Sequence, residues 1–258
     1  MVTSCSLFQI PDDFQKPETV SLPAITISTM TPIPTPTFQP TITSSSIWIE
    51  SGLQGTIPAP IETENHAGLV SPTFPQEYHI TDIVGRSQYF ALGCEASAAV
   101  DWAAYYGISI NEFEFQHQLP LSDNPDKGFV GNVDSPWGQV PPYAYGVHAG
   151  PIAELLQEFG LNAVSVKGYT VSQIKEQISN DNPVIAWVIG NVVGGVPFEY
   201  IDSSGDTTIV AAYEHVVLVT GYGEDTIRYM NNGGFYDIPT QVFANSWEVL
   251  GKMAIISE

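Results

Sequence analysis

Cysteine and basic side chains are both scarce in this sequence. Only two of its 258 residues are cysteines, Cys5 and Cys94, and their surroundings differ so much that a structural disulfide between them is not expected. Seven lysines and arginines stand against 28 acidic residues, which gives a formal net charge of −21. A surface this acidic repels phosphate groups, so binding to nucleic acid and electrostatic docking on anionic lipid are both disfavoured.

Long hydrophobic runs are missing as well. No apolar stretch is long enough to span a bilayer, and no intact signal peptide is present. The first five residues, which end in Cys5, nevertheless resemble the end of a bacterial lipobox, where small residues precede a cysteine that is lipidated after signal cleavage. Two interpretations stay open: Cys5 anchors a bacterial lipoprotein to the membrane, or it is an ordinary residue of a tail. The first implies an extracellular or cell-envelope location.

The composition divides the chain into two parts. Residues 1–75 are rich in Pro, Thr, Ser and Ile, which favours an extended linker or stalk, although residues 44–50 are expected to form a strand. Residues 76–258 have a globular composition and are predicted to form one domain, acting as a monomer. The whole chain is 43% hydrophobic, which is enough for a substantial core.

A candidate nucleophile lies at the predicted start of a helix. Residues from Cys94 to Tyr106 are mostly small or apolar and contain no proline, and Gly107 is typical of a helix end. The unpaired N–H groups and the dipole at a helix N-terminus favour a thiolate, so the thiol of Cys94 is expected to titrate below a free thiol. Gln88, six residues earlier, is close enough to donate an amide N–H to an oxyanion beside the sulfur. The alternative is that Cys94 is a small buried residue of a core helix.

Predicted helices dominate the first half of this domain and predicted strands the second. Continuous apolar runs indicate buried strands at 183–190 and 215–222, and a turn at 223–225 joins the latter to a strand at 226–234. A short strand is expected at 78–84. Further helices are predicted at 111–119, 150–160, 171–180 and 239–250, and a last strand at 252–256. This order implies an α+β domain with two lobes.

A nucleophilic cysteine needs a base and a group that orients the base. Of the five histidines, His215 opens an apolar strand, so a sheet can hold its ring rigidly beside a cleft. In the hairpin that turns at 223–225, Asn231 shares a face with His215, and its amide oxygen can fix the imidazole tautomer. Asn232 remains an alternative for this role, and the run 231–234 is also typical of a simple turn.

Taken together, these residues resemble the papain-fold cysteine peptidases, and most closely the bacterial double-glycine, or bacteriocin-leader, peptidase-like branch. The resemblance covers about residues 76–258. It rests on the motifs GCEA at 93–96, GFVG at 128–131, YGVH at 145–148, PVIAW at 183–187, EHVV at 214–217 with GY at 221–222, and the closing residues Phe243, Trp247 and 251–255.

The resemblance implies a papain-like two-lobed fold in which a nucleophile helix packs on an antiparallel sheet. It makes Cys94 the nucleophile, His215 the base, Asn231 the orienting residue and Gln88 the oxyanion donor. The branch usually has Asp-Pro where this chain has Asn231-Asn232, and Glu95 replaces the aromatic residue that follows the nucleophile in papain. The tripeptide 245–247, Asn-Ser-Trp, imitates the surroundings of papain's asparagine but is interpreted as a chance likeness.

The expected activity is hydrolysis of peptide bonds through a thioester on Cys94, by a secreted or surface-anchored cysteine peptidase acting on a peptide or protein. An acyl or peptidyl transferase and a non-catalytic peptide-binding module are the alternatives. No cofactor is implied, and no His, Cys and Asp cluster has the spacing of a metal site. Four residues are predicted to contact the substrate: Phe129, Trp137, Tyr143 and His148.

Overall fold

A computed structural model of the chain describes residues 74–258. Cys5, the Pro- and Thr-rich segment and the strand expected at 44–50 lie outside the described residues. Within residues 74–258, no helix combines the length and the apolar composition needed to cross a membrane.

The described helices belong mainly to the first half of the domain. Local signals account for their ends: Asn111 and Thr170 cap two helices with their side chains, and Gly107 and Gly160 follow two helix ends with positive φ angles of 82° and 86°. The helices are α1 (Cys94–Tyr105), α2 (Glu112–Gln118), α3 (Ala149–Glu158), α4 (Val171–Ser179) and α5 (Thr240–Glu248).

The strands form one large antiparallel sheet and one small hairpin. They are β1 (Tyr78–His79), β2 (Ala163–Val166), β3 (Val184–Ile189), β4 (Phe198–Ile201), β5 (Thr207–Val210), β6 (Glu214–Tyr222), β7 (Thr226–Asn231), β8 (Gly234–Pro239) and β9 (Ala254–Ser257). The sheet has the order β2-β9-β3-β6-β7-β8, with β1 paired to one end of β6, while β4 and β5 pair only with each other.

The core lies between α1 and the middle of the sheet. All residues of β3 and β6 are buried, as are ten of the twelve residues of α1. Alanines on α1 let the helix approach β6 closely, and Trp102 anchors it by donating from Nε1 to the carbonyl oxygen of Pro183 at 2.8 Å. The predicted α+β architecture, with the nucleophile helix packed on an antiparallel sheet, is therefore confirmed.

Some predicted elements differ from the structure. The strand expected at 78–84 is limited to two residues, because only Tyr78 and His79 pair with β6. The sequence analysis did not identify β2, β8 or the hairpin of β4 and β5. The predicted helices agree with the structure to within two residues at each end, and so do the predicted strands at β3, β6 and β9. The strand predicted at 226–234 is too long, because β7 ends at Asn231 and the chain turns there into β8.

Candidate active site

The nucleophile candidate occupies the first position of α1. The helix is preceded by Gly93, where a Cβ atom would lie 3.0 Å from Cβ of Phe90, so the turn before the helix is tight. Cys94 is 8% exposed, and its N–H belongs to the first turn, whose N–H groups lack carbonyl partners within the helix. The start of α1 therefore places the Cys94 sulfur atom next to a backbone N–H group that has no partner within the helix.

His215 is the second residue of β6, a strand with neighbours on both sides. Its Cα lies opposite that of Val188 on β3, and Trp137 packs edge-on against the imidazole with the ring centroids 5.8 Å apart. Trp137 also donates from Nε1 to the carbonyl oxygen of Glu214 at 2.8 Å. The sheet and this indole together fix the position of the imidazole.

Asn231 lies on β7 and contacts the imidazole directly. Its Oδ1 is 2.9 Å from Nε2 of His215. Since Leu218 pairs with Met230, Asn231 is diagonal to His215 rather than directly opposite, and a diagonal pair shares one face of the sheet. With Nε2 donating to the amide oxygen, Nδ1 is the imidazole nitrogen that remains available as a base.

Asn232 serves a different part of the site. Its φ is +51°, and its Oδ1 accepts a hydrogen bond from the backbone N–H of Gln88 at 2.8 Å. The Gln88 side chain donates from Nε2 to the carbonyl oxygen of Phe90 at 2.8 Å. The same Nε2 also lies 3.4 Å from the carbonyl oxygen of Ala91, so the amide can donate to an oxyanion in the cavity only by giving up this longer contact.

One cavity of about 280 Å³ brings the predicted chemistry together. All four residues predicted for catalysis line it, and so does Trp137, which was predicted to contact the substrate. Ala91 and Asn191 also line it and were not predicted. Its lining consists of Gln88, Ala91, Cys94, Trp137, Asn191, His215, Asn231 and Asn232.

The other three residues predicted to contact substrate lie elsewhere. Phe129 is 2% exposed and belongs to the hydrophobic core, so it is not a wall of the cavity. His148 is 1% exposed, and its Nδ1 lies 2.9 Å from Oδ1 of Asp126, next to the start of α3. Tyr143 is 67% exposed and does not line this cavity. The GFVG and YGVH motifs therefore contribute to the structure near the site but do not line the cavity.

Two buried carboxyl groups lie beside the nucleophile, and the sequence analysis assigned a role to neither. Glu95, on α1, accepts a hydrogen bond from the Cys94 thiol at 3.2 Å. Glu214, on β6, is 2% exposed. The sulfur of Cys94 and one oxygen from each carboxyl group lie within 4.8 Å of one another. We assign no metal ion to this group, because Glu95 already accepts two hydrogen bonds from protein donors.

These surroundings contradict the expectation of a readily ionised thiol. Burial, reinforced by the adjacent carboxyl group of Glu95, raises the pKa of the Cys94 thiol well above its ordinary value. Burial also lowers the pKa of the His215 imidazole, although its hydrogen bond to Asn231 opposes this shift. The helix N-terminus favours a thiolate, but burial and the carboxyl group of Glu95 outweigh it. At neutral pH the thiol and the imidazole are both uncharged.

The chain is similar to several known proteins. It is 27% identical over 180 residues to the uncharacterized protein YvpB of Bacillus subtilis (strain 168), covering 64% of this chain and 68% of the relative. A crystal structure of a candidate C39-like peptidase from Bacillus anthracis superposes with a TM-score of 0.63 at 18% identity, covering 71% of this chain and 98% of the other. The peptidase domain of Streptococcus ComA, a bifunctional ABC transporter, covers 68% of this chain at 15% identity, with a TM-score of 0.42.

The superposition on the Bacillus anthracis structure agrees with the fold described above. The family model described as "Peptidase_C39 like family" matches residues 72–255, which is most of the chain and includes every residue that lines the cavity. The chain therefore belongs to the Peptidase_C39-like family.

Proposed function

We propose that this protein is a cysteine peptidase that hydrolyses peptide bonds through a thioester on Cys94. The observation that carries the proposal is that Cys94, His215 and Asn231 line one cavity, with the imidazole held by Asn231 at 2.9 Å. A nucleophile, a base and a residue that orients the base are the minimum set for acyl transfer to a thiol.

The residues support a balanced reaction. The Cys94 thiol gives its proton to Nδ1 of His215 as the sulfur attacks the substrate carbonyl. The Cys94 N–H and one N–H of Gln88, released from the carbonyl oxygen of Ala91, stabilise the oxyanion. The imidazolium then protonates the leaving amine, and the thioester remains. His215 next takes a proton from water, and the hydroxide attacks the thioester carbonyl and displaces the Cys94 thiolate, which frees the carboxylic acid. The proton on the imidazolium then returns to the sulfur.

The location proposed for this activity is outside the cytoplasm. The support is the likeness of the first residues to a lipobox and the stalk-like composition that follows Cys5. Mass spectrometry of natively produced protein should find an acyl modification on Cys5. Unmodified Cys5 in a cytosolic fraction would contradict this part of the proposal.

One observation favours the alternative of a non-catalytic peptide-binding module. The Cys94 thiol is hydrogen-bonded to Glu95 at 3.2 Å and has a raised pKa, so the described state is not that of an activated nucleophile. The same cavity could then hold a peptide without cutting it. Any test of the proposal must distinguish these two functions.

The test is digestion of a proteome-derived peptide library, with new chain ends identified by mass spectrometry. The natural protein should generate new ends, whereas the Cys94→Ala and His215→Ala variants should not. Cys5→Ser is the matched control, because it removes the other cysteine and should leave cleavage unchanged. Peptides retained by the Cys94→Ala variant, with no cleavage by the natural protein, would mean a binding module. Products joined to an added amine would mean a transferase.

A further inference from the structure

Glu95 and Glu214 form a pair of buried carboxyl groups from two different elements. Glu95 is 1% exposed on α1 and Glu214 is 2% exposed on β6. Within residues 74–258, neither group forms an ion pair with a lysine, an arginine or a histidine. A buried carboxylate without a counter-charge is costly, so protons must supply the compensation that cations do not.

The backbone makes room for this pair at Gly146. A Cβ atom added there would lie 2.2 Å from Oε1 of Glu95 and 3.1 Å from Oε2 of Glu214, and the φ angle of Gly146 is +129°. Both carboxyl groups therefore press against the same Cα atom. Any other residue at this position would have to displace one of them, so the close approach is built into the fold.

The two carboxyl groups differ in their hydrogen bonds. Glu95 accepts at both oxygens: from the Val147 N–H at 2.8 Å and from the Cys94 thiol at 3.2 Å. Oε1 of Glu214 is buried and has no hydrogen-bond partner. Glu95 thus has the donors that stabilise a carboxylate, whereas Glu214 lacks them. A protonated Glu214 relieves this arrangement, because it carries no charge and offers a hydroxyl donor with an oxygen of Glu95 within 4.8 Å.

We propose that Glu214 is a positioning residue that holds a proton against Glu95, and that this pair keeps the Cys94 thiol protonated in the resting protein. Glu214 acts through Glu95, whose carboxylate accepts the S–H hydrogen bond. The role assigned here to the thiol rests on the proposed function, since it concerns the same nucleophile.

The direction of the pKa shifts agrees with this arrangement. Burial raises the pKa of Glu95 to about 7, and burial together with the charge of Glu95 raises the pKa of Glu214 well above its ordinary value. Glu214 therefore keeps its proton at a pH where Glu95 begins to ionise. An ionised carboxylate next to the sulfur then disfavours a second negative charge.

The groups that surround the pair leave no other source of compensation. Tyr145, beside Gly146, is buried, and this burial raises the pKa of its phenol well above the ordinary value, so it stays neutral. His215 on β6 is neutral because burial lowers its pKa. On α1, Asp101 is paired with Arg86 at 3.1 Å.

The elements packed on α1 add no further charge at the pair. Glu112 on α2 accepts a hydrogen bond from the Tyr89 N–H, and burial raises its pKa. His148, which precedes α3, is bound to Asp126. β3 has no titratable side chain.

The test is the pH dependence of alkylation by iodoacetamide, measured by mass spectrometry in a Cys5→Ser background. In the protein that retains both Glu95 and Glu214, Cys94 should react more slowly than a free thiol at neutral pH. Glu95→Gln removes the charge beside the sulfur and should raise the rate at pH ~7.5 by about tenfold, which corresponds to one pKa unit. Glu214→Gln keeps an uncharged donor and should leave the rate within about twofold. Glu112→Gln is the matched control on a half-buried carboxyl group outside the pair and should change nothing.

A second measurement reports the proton directly. The infrared carbonyl band of a protonated carboxylic acid should be present at neutral pH and should be lost in Glu214→Gln but not in Glu112→Gln. A Glu214→Gln rate as high as that of Glu95→Gln would mean that Glu214 is ionised, and it would overturn the proposal. The proposal would also fail if neither variant changed the rate, or if the purified protein held a stoichiometric metal ion.

Alkylation requires no peptide substrate, so this test is independent of turnover. A protein that shows the expected alkylation pattern but cleaves no peptide would contradict the proposed function alone. A protein that cleaves peptides but shows no effect of Glu95→Gln would contradict the role of the carboxyl pair alone.

Discussion

The side-chain oxygen of Asn232 accepts a hydrogen bond from the backbone N–H of Gln88 at 2.8 Å, while the adjacent Asn231 holds His215 at 2.9 Å. Two neighbouring asparagines therefore support the two halves of the site. One holds the proposed base on the sheet, and the other fixes the loop that carries the proposed oxyanion donor. The end of β7 and the turn after it therefore link His215 on the sheet to Gln88 in the segment before α1.

Separate replacement of Asn231 and Asn232 should have distinguishable effects on catalysis. Asn231→Ala releases the imidazole of His215 and should lower kcat by about tenfold, because a general base loses efficiency when it is poorly oriented. Asn232→Gly removes the contact to Gln88 and suits the positive φ at this position, so it should lower kcat without altering the imidazole. Steady-state kinetics on a cleaved peptide measures both effects.

Alkylation by a small reagent distinguishes the two variants, because it needs a base but no oxyanion donor. Asn231→Ala should change its pH dependence, whereas Asn232→Gly should not. The opposite pattern would move the orienting role to Asn232.

Loss of the Gln88 amide should slow the chemical step. Gln88→Ala removes one oxyanion donor and should lower kcat by about 10²–10³ with little change in KM, since the donor acts on the transition state. Gln88→Glu keeps the length of the side chain but removes the N–H groups, so it should be equally impaired. A Gln88→Glu variant with normal kcat would show that the amide is not the donor.

The sequence was sufficient for the parts of the site that local patterns determine. A helix start marks Cys94, an apolar strand marks His215, and the hairpin turn brings Asn231 to the same face. The pairing of Glu95 with Glu214 could not be predicted, because it depends on how α1 packs against β6. Read along the chain, each of these glutamates is an ordinary charged residue.

Phe129 and His148 are residues for which the local sequence pattern was misleading. An aromatic residue in a glycine-rich segment and a histidine in a loop both looked like residues exposed in a cleft. Phe129 instead fills the core, and His148 is held by Asp126. The hairpin of β4 and β5 was missed because Phe198, Ile201 and Ile209 stay largely exposed, so its strands lack the buried apolar run of β3 or β6.

The contribution of the buried carboxyl pair to stability should fall as the pH rises from about 5 towards 7. A carboxyl group with a raised pKa in the folded state contributes stability below its unfolded pKa and loses it as the pH rises through the folded pKa. For Glu95 this window runs from about 4.5 to about 7 and corresponds to on the order of 3 kcal/mol. Thermal unfolding of Glu95→Gln between pH ~5 and ~8 should show a shallower decline than the natural protein.

The difference between the two proteins is the quantity to compare. Burial lowers the pKa values of His148 and His215, so these two groups lose stability in the opposite direction, as the pH falls below their unfolded values. Both proteins share that contribution, which cancels. Parallel declines would show that Glu95 titrates normally.

A chain that begins at Phe74 should fold cooperatively and remain a monomer. The ring of Phe74 packs edge-on against Tyr222 with the ring centroids 5.9 Å apart, and the Tyr222 hydroxyl donates to the carbonyl oxygen of Pro75 at 2.9 Å. A chain that begins at Glu77 loses both contacts and should be less stable by ~1–2 kcal/mol. Urea unfolding and size-exclusion chromatography measure these outcomes, and aggregation of the longer chain would mean that earlier residues belong to the domain.

The place of β9 in the sheet has a consequence for biosynthesis. This strand lies between β2 and β3, although it is the last of the described strands to be translated. Until Ala254–Ser257 have left the ribosome, β2 lacks its partner strand and β3 pairs only with β6, so the sheet that carries His215 is incomplete. The nucleophile helix is synthesised long before that point. A nascent chain should therefore carry Cys94 on its helix before the sheet that holds His215 is complete.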